Sequence, residues 1–219
     1  ASAAAGRPAG AVQLLAVGKT FPAEAIRQLA SAGQIDFGEN YWQEAAGKLT
    51  ALADLAALRW HFIGPIQSNK TRPIAEGVDW VHTVEREKIA TRLSEQREAW
   101  RSAGPDRRPL AVLIQVNVSG EASKSGCQPA EAHALAERIA TLPGLVLRGL
   151  MAIPEPTTEP TRQRAAFAAV RALHERIGEG LALPGFDTLS MGMSADLEAA
   201  IAEGATLVRV GTALFGARA

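Results

Sequence analysis

Short, continuously apolar runs alternate along this chain with stretches whose apolar residues recur every three or four positions. The runs predict strands at Leu14–Gly18, Ile35–Gly38, Trp60–Ile63, Trp80–Thr83, Leu110–Val118, Val146–Ala152, Thr188–Ser190 and Val208–Val210. The periodic stretches predict helices near 22–32, 41–57, 68–76, 85–102, 129–141, 160–179 and 195–203. Strands that are apolar on both faces suit a parallel sheet covered on each side. Pro22 and Pro129 fall at helix starts, where a missing N–H costs nothing, and Leu142-Pro143-Gly144 and Leu183-Pro184-Gly185 mark turns back to strand. Eight strands joined by helices in about 200–250 residues predict an α/β fold, a single (β/α)8 TIM-like barrel. An open doubly wound sheet is the rival architecture. The first strand-to-helix turn, Val17-Gly18-Lys19-Thr20-Phe21-Pro22, has no GxGxxG, which argues against a dinucleotide site.

Composition narrows the classes of partner. The 219 residues are 47% apolar, enough for one full core, so residues 13–219 are read as one domain. Residues 1–12 are rich in Ala and Gly and read as a flexible or trimmed start, without the charged and apolar regions of a signal peptide. Zero formal net charge gives no support to a nucleic-acid partner or an anionic membrane, and no apolar run is long enough for a membrane span. A lone cysteine, Cys127, excludes an intrachain disulfide and suits a reducing cytosol, so a cytoplasmic location is expected.

In a barrel of this kind the chemistry gathers at the C-terminal ends of the strands. Lys19 follows the first strand and is one of only five lysines; Lys48, Lys70 and Lys88 fall on or beside predicted helices, where a solvated amine is ordinary. Desolvation at a strand end favours the neutral amine, the form that condenses with an aldehyde to a Schiff base. A lysine snorkelling to solvent is the competing reading. After the seventh strand runs Met191-Gly192-Met193-Ser194-Ala195-Asp196, and after the eighth Gly211-Thr212-Ala213. Glycine admits close approach of an anion and hydroxyls add donors, so both loops read as a phosphate cradle, with a plain N-cap and an ordinary turn as the alternatives. The first and last strands of a closed barrel are neighbours. An aldehyde-binding amine beside a phosphate cradle points to pyridoxal 5'-phosphate, with Arg209 placed for its ring nitrogen or phosphate.

Other polar residues carry weaker signals. Glu39 and Asn40 end the second strand and read either as cofactor contacts or as a capping pair. His61 reads as a core histidine, whereas His82 stands nearer a strand end and is kept as a secondary candidate. His133 and His174 fall in helices and are expected to be solvated. Lys124, in the loop after the fifth strand, is the second lysine on the catalytic face, with a solvated loop residue as the alternative. No spacing of His, Cys or carboxylates suggests a metal.

Seven segments then carry a resemblance: Leu14–Thr20, Phe37–Tyr41, Trp60–Lys70, Ser123–Gly126, Arg148–Pro154, Met191–Ser194 and Val208–Gly216. In this order they resemble the pyridoxal phosphate homeostasis proteins, from about residue 13 to 218. The resemblance implies a barrel of the alanine racemase N-terminal type with the cofactor on Lys19. It implies phosphate contacts at Ser194, Gly211 and Thr212, with Arg209 beside them; Asn40 and Met191, at the ends of the second and seventh strands, are added as candidate cofactor contacts. Many bacterial members carry a second lysine where this chain has Phe21, and a further helix before the first strand. The implied role is to hold and deliver the cofactor, maintaining vitamin B6 and amino-acid balance, without robust catalysis. Apo forms of enzymes that use the cofactor are the implied partners, and a monomer the implied state. The alternative is a small pyridoxal phosphate-dependent amino-acid racemase or related enzyme.

Overall fold

The computed structural model describes residues 1–120 and 125–216. Its eight strands are β1 Gln13–Val17, β2 Asp36–Glu39, β3 Arg59–Phe62, β4 Trp80–Val84, β5 Leu110–Val116, β6 Leu145–Ala152, β7 Thr188–Ser190 and β8 Leu207–Val210. All pair in parallel with their sequence neighbours, and β8 pairs with β1 to close the barrel. The open-sheet alternative is thereby excluded. Every predicted strand is present, with no end shifted by more than two residues. The helices are α1 Ala23–Ser31, α2 Trp42–Ala51, α3 Thr71–Gly77, α4 Glu87–Arg101, α5 Ala132–Ala140, α6 Pro160–Leu181, α7 Leu197–Ala202 and α8 Thr212–Phe215.

Three helix boundaries differ from the sequence reading for visible reasons. The second helix stops at Ala51 and not at 57, and the turn that follows is tied to α1 by Arg27, bonded to Asp54 at 2.6 and 2.8 Å. Pro129 lies in a turn ahead of α5, whereas Pro160 opens the first turn of its helix. The helix expected near Ser194 opens at Leu197, since Asp196 takes the Met193 N–H at 2.6 Å and holds residues 194–196 as a turn.

The core lies between the strands and the helix ring, with Phe37, Phe62, Ile26, Ile74, Leu93 and Phe167 at most 2% exposed. Burial of such side chains is worth about 1.5–3 kcal/mol each. At Gly149 (φ +149°) β6 passes so close to β7 that a Cβ would sit 1.8 Å from the Thr188 carbonyl oxygen. The residues before β1 form turns docked on the barrel by Arg7, which donates to the carbonyls of Ala205, Ile201 and Ala11. Among the described residues no helix is long and apolar enough to cross a membrane.

Candidate functional site

A cleft of about 310 Å³ opens at the C-terminal ends of the strands, within the size range of small-molecule sites. Lys19, Asn40, Ser194, Arg209, Gly211 and Thr212 all line it, together with Phe21, Ile63, Ile153 and Met193. Residues after β1, β2, β7 and β8 thus meet in one place, as closure through the β1–β8 seam requires. Met191 is the exception. Its side chain is fully buried beneath the cleft, and Met193, two residues on, reaches the lining in its place.

The loop that carries Lys19 is gripped from α2. Lys48 donates to the Gly18 carbonyl at 2.8 Å and to Glu39 Oε1 at 2.7 Å. One turn earlier on the same helix, Glu44 accepts the Thr20 N–H at 2.9 Å. Thr20 holds the left-handed conformation (φ +68°), which costs a non-glycine residue about 1–2 kcal/mol. Residues 18 and 20 are therefore fixed by α2, and Lys19 between them is directed into the cleft. Lys48 is buried, contrary to its reading as a solvated helix lysine. Glu39 also lies below the cleft and does not line it; burial raises its carboxyl above the ordinary value although the Lys48 bond opposes this. The signal in the sequence was the i, i+4 spacing of Glu44 and Lys48, which faces both toward one loop.

Asn40 is held by a close approach: a Cβ on Gly64 would fall 1.9 Å from the Asn40 carbonyl oxygen, so only glycine fits there. The Asn40 side-chain Oδ1 is buried without a hydrogen-bond partner among the described residues. A buried acceptor left unmade costs about 1–3 kcal/mol, so its presence in a cleft marks a place for a ligand donor.

Arg209 is only 4% exposed, yet it reaches the cleft wall. Its Nη1 donates to the Ser190 carbonyl at 2.6 Å and to Ser190 Oγ at 2.8 Å, and its Nη2 to the Ala152 carbonyl at 3.0 Å. Three of five donors are spent and two remain. Burial brings the guanidinium down to about 10, still high enough to remain charged at neutral pH. Gly211 and Thr212 enter the short α8, whose first N–H groups have no acceptor within the helix. Ser194 is exposed in the turn before α7 and is not an N-cap; that position belongs to Asp196.

The remaining candidates fall elsewhere. His82 is fully buried in the barrel interior and bonded to His61 and Ser190, so it is not part of the cleft lining. Neither helix histidine is fully solvated: His133 is half-buried, and so is His174, which stacks on Phe186 with ring centres 4.5 Å apart. Lys124 lies outside the described residues. Cys127 is buried, and its thiol is pushed up to about 12, chiefly by that burial, which makes it unreactive. No group of three or more potential metal ligands occurs among the described residues. A primary amine facing amide, hydroxyl and guanidinium donors across one small cleft can hold a compact anionic carbonyl compound.

Comparison with known proteins agrees with this chemistry. The family model for the alanine racemase N-terminal domain matches residues 3–219. A pyridoxal phosphate homeostasis protein of Pseudomonas aeruginosa is 64% identical over 218 residues, covering 100% of this chain and 90% of the relative. The structure of PipY from Synechococcus elongatus with PLP bound is 38% identical and superposes with a TM-score of 0.86, over 98% of this chain and 97% of that one. Alanine racemase from Corynebacterium glutamicum shares only the fold, at 18% identity and a TM-score of 0.70 over 95% of this chain and 57% of its own. With a near full-length match at this identity, the chain belongs to the pyridoxal phosphate homeostasis protein family, built on the barrel of the alanine racemase N-terminal domain.

Proposed function

We propose that this protein holds pyridoxal 5'-phosphate covalently and reversibly on Lys19, as a cytosolic store that serves vitamin B6 and amino-acid homeostasis. The observation that carries the reading is the meeting of Lys19 with Arg209, Gly211 and Thr212 in one cleft across the β1–β8 seam. The residues fit the cofactor: the unpartnered Asn40 Oδ1 awaits a donor, and Arg209 keeps two donors to spare. When bound, the cofactor supplies an aldehyde for reversible condensation with an amine.

The chain's own residues divide the work. Lys19 Nζ supplies the amine, and α2 orients it through Gly18 and Thr20. Thr212, Ser194 and the backbone of Gly211 bind the phosphate, while apolar Phe21, Ile63, Ile153 and Met193 exclude water around it. With the cofactor bound, Arg209 would face its ring nitrogen or phosphate, and as a guanidinium that keeps its proton it would not protonate the ring. The lining offers one amine, Lys19, and no carboxylate, imidazole or phenol beside it. This supports storage and release to apo-enzymes over robust racemization, which needs an acid or base on each face of the substrate.

Borohydride reduction followed by peptide mapping tests the assignment. Mass added at Lys19 is expected. Mass only at Lys124, or none, would overturn it. Incubation of the loaded protein with L-amino acids should give D-isomer no faster than free cofactor does; faster turnover would favour the enzyme. Cofactor transfer to an apo-enzyme faster than dissociation into solution would show active delivery, and equal rates a passive store.

A further inference from the structure

A line of buried polar groups crosses the barrel from its N-terminal mouth to the cleft. Arg59 Nη2 donates to Asp36 Oδ2 at 2.7 Å, and Asp36 Oδ1 lies 3.0 Å from His61 Nε2. His61 Nδ1 lies 2.9 Å from His82 Nε2, and His82 Nδ1 lies 2.9 Å from Ser190 Oγ, the oxygen that accepts from Arg209 Nη1 at 2.8 Å. β4 and β7 are not neighbours in the sheet, so the His82–Ser190 contact spans the interior of the barrel. His61, His82 and Ser190 are at most 2% exposed.

The order of donors along this line has one solution. An ionised carboxylate only accepts, so the proton of neutral His61 sits on Nε2 and its Nδ1 must accept. His82 then donates from Nε2, and its Nδ1 accepts the only proton available, that of the Ser190 hydroxyl. With its proton committed, Ser190 Oγ offers lone pairs to Arg209. Reversing the line would point His82 Nδ1–H at Ser190 Oγ beside the Arg209 donor and leave the serine proton to find another acceptor.

We propose that Asp36 is a positioning residue for Arg209, its carboxylate setting the direction of donation through His61, His82 and Ser190 and thereby the seat of the guanidinium at the cleft. Burial supports the neutral imidazoles that this requires: it lowers both histidines from 6.5, His82 further because His61 and Arg209 stand beside it. Burial raises the Asp36 carboxyl, but bonds from His61 and Arg59 outweigh it and leave the group below its ordinary value, hence ionised. Leu15, Leu113 and Met151, also fully or almost fully buried, add no polar group to the core. The consequence for the cofactor rests on the function proposed above, whereas the donor order does not.

The test is imidazole nitrogen NMR on the unloaded full chain, paired with the rate of pyridoxal phosphate release from the loaded one. Both histidines of the wild type should carry their proton on Nε2. Asp36→Asn removes the fixed acceptor; it should shift His82 toward the Nδ1–H tautomer and speed release by about tenfold, the scale of losing a partner behind a ligand-holding residue. Ser190→Ala should speed release similarly while both histidines keep the Nε2–H form. A wild-type His82 protonated on Nδ1 overturns the inference, as does an Asp36→Asn protein with wild-type tautomers or wild-type release. If Asp36→Asn does not fold, unchanged release from Ser190→Ala overturns it instead. A wild type that binds no pyridoxal phosphate defeats the reading of the cleft, and the tautomers still decide the donor order.

Discussion

The two mouths of the barrel are built to opposite rules. At the N-terminal mouth the polar groups face one another: Arg59 with Asp36, Arg148 with both oxygens of Asp187, Gln34 with the carbonyls of Leu14 and Asp36. Arg148 also lies over the Trp80 ring, 5.0 Å from its centre. At the C-terminal mouth, Lys19 faces open cleft, Asn40 Oδ1 is unpartnered, and Arg209 holds donors in reserve. One end spends its hydrogen-bonding capacity on the fold, the buried Arg59 Nε excepted, and the other withholds it for a ligand. Residues at the first should matter chiefly to stability, with Asp36 the exception through its line to Arg209, and those at the second chiefly to binding.

The sharpest break of that contrast is Lys19→Ala. It should abolish the visible absorption of the loaded protein and all borohydride-fixed cofactor, while the thermal midpoint of the unloaded protein stays close to wild type. Lys48→Met tests the support beneath the cleft. Removing one partner of a buried pair strands Glu39 and should cost about 3 kcal/mol in urea unfolding. It should also loosen the Gly18 carbonyl and slow capture of the cofactor.

A smaller effect comes from acid. Unfolded imidazoles titrate near 6.5, whereas His61 and His82 are held lower when folded, so the unfolded chain takes up protons first. Stability is therefore complete above pH 6.5 and falls as the pH drops below it, by at most about 1.4 kcal/mol per pH unit for each histidine. His82→Gln should flatten that fall, measured as midpoint temperature against pH. A slope unchanged by the substitution would mean that His82 takes up its proton equally in the folded and the unfolded chain. The smallest effect belongs to the N-terminal mouth: Arg148→Ala should cost about 0.5 kcal/mol, as a largely exposed pair does, and leave cofactor release unaltered.

Much of this was legible in the order of residues. Every strand announces itself as an apolar run because both faces of a parallel barrel are covered. Even β7, three residues long, reads clearly in Thr188-Leu189-Ser190. Lys19, Arg209, Gly211 and Thr212 were found by asking what stands at strand ends. What stayed hidden was pairing at a distance. Lys48 reads as a surface lysine because its partners, Gly18 and Glu39, are 30 and 9 residues away. Arg97 reads as part of a charged helix, yet it is 3% exposed and caps the carbonyls of Ala75, Val78 and Arg108. In the sequence His61 reads as a core histidine and His82 as a strand-end candidate, each standing alone. Their meaning depends on Asp36 and Ser190, which only closure of the barrel brings into line. Met191 and Met193 were separated by the turn at Gly192, which buries one and exposes the other.

The β1–β8 seam has a consequence for the order of events in the life of the chain. Lys19 follows the first strand and Thr212 the last, so the cleft has no walls until the final strand docks against the first. Contacts of such long sequence separation form late in folding. A growing polypeptide therefore has no complete cleft until Thr212 has been made. A ligand held by Lys19 and Thr212 together acts as a clasp on that seam, tightening the last joint to close. Occupancy of the cleft is thus a certificate that the circle has been completed.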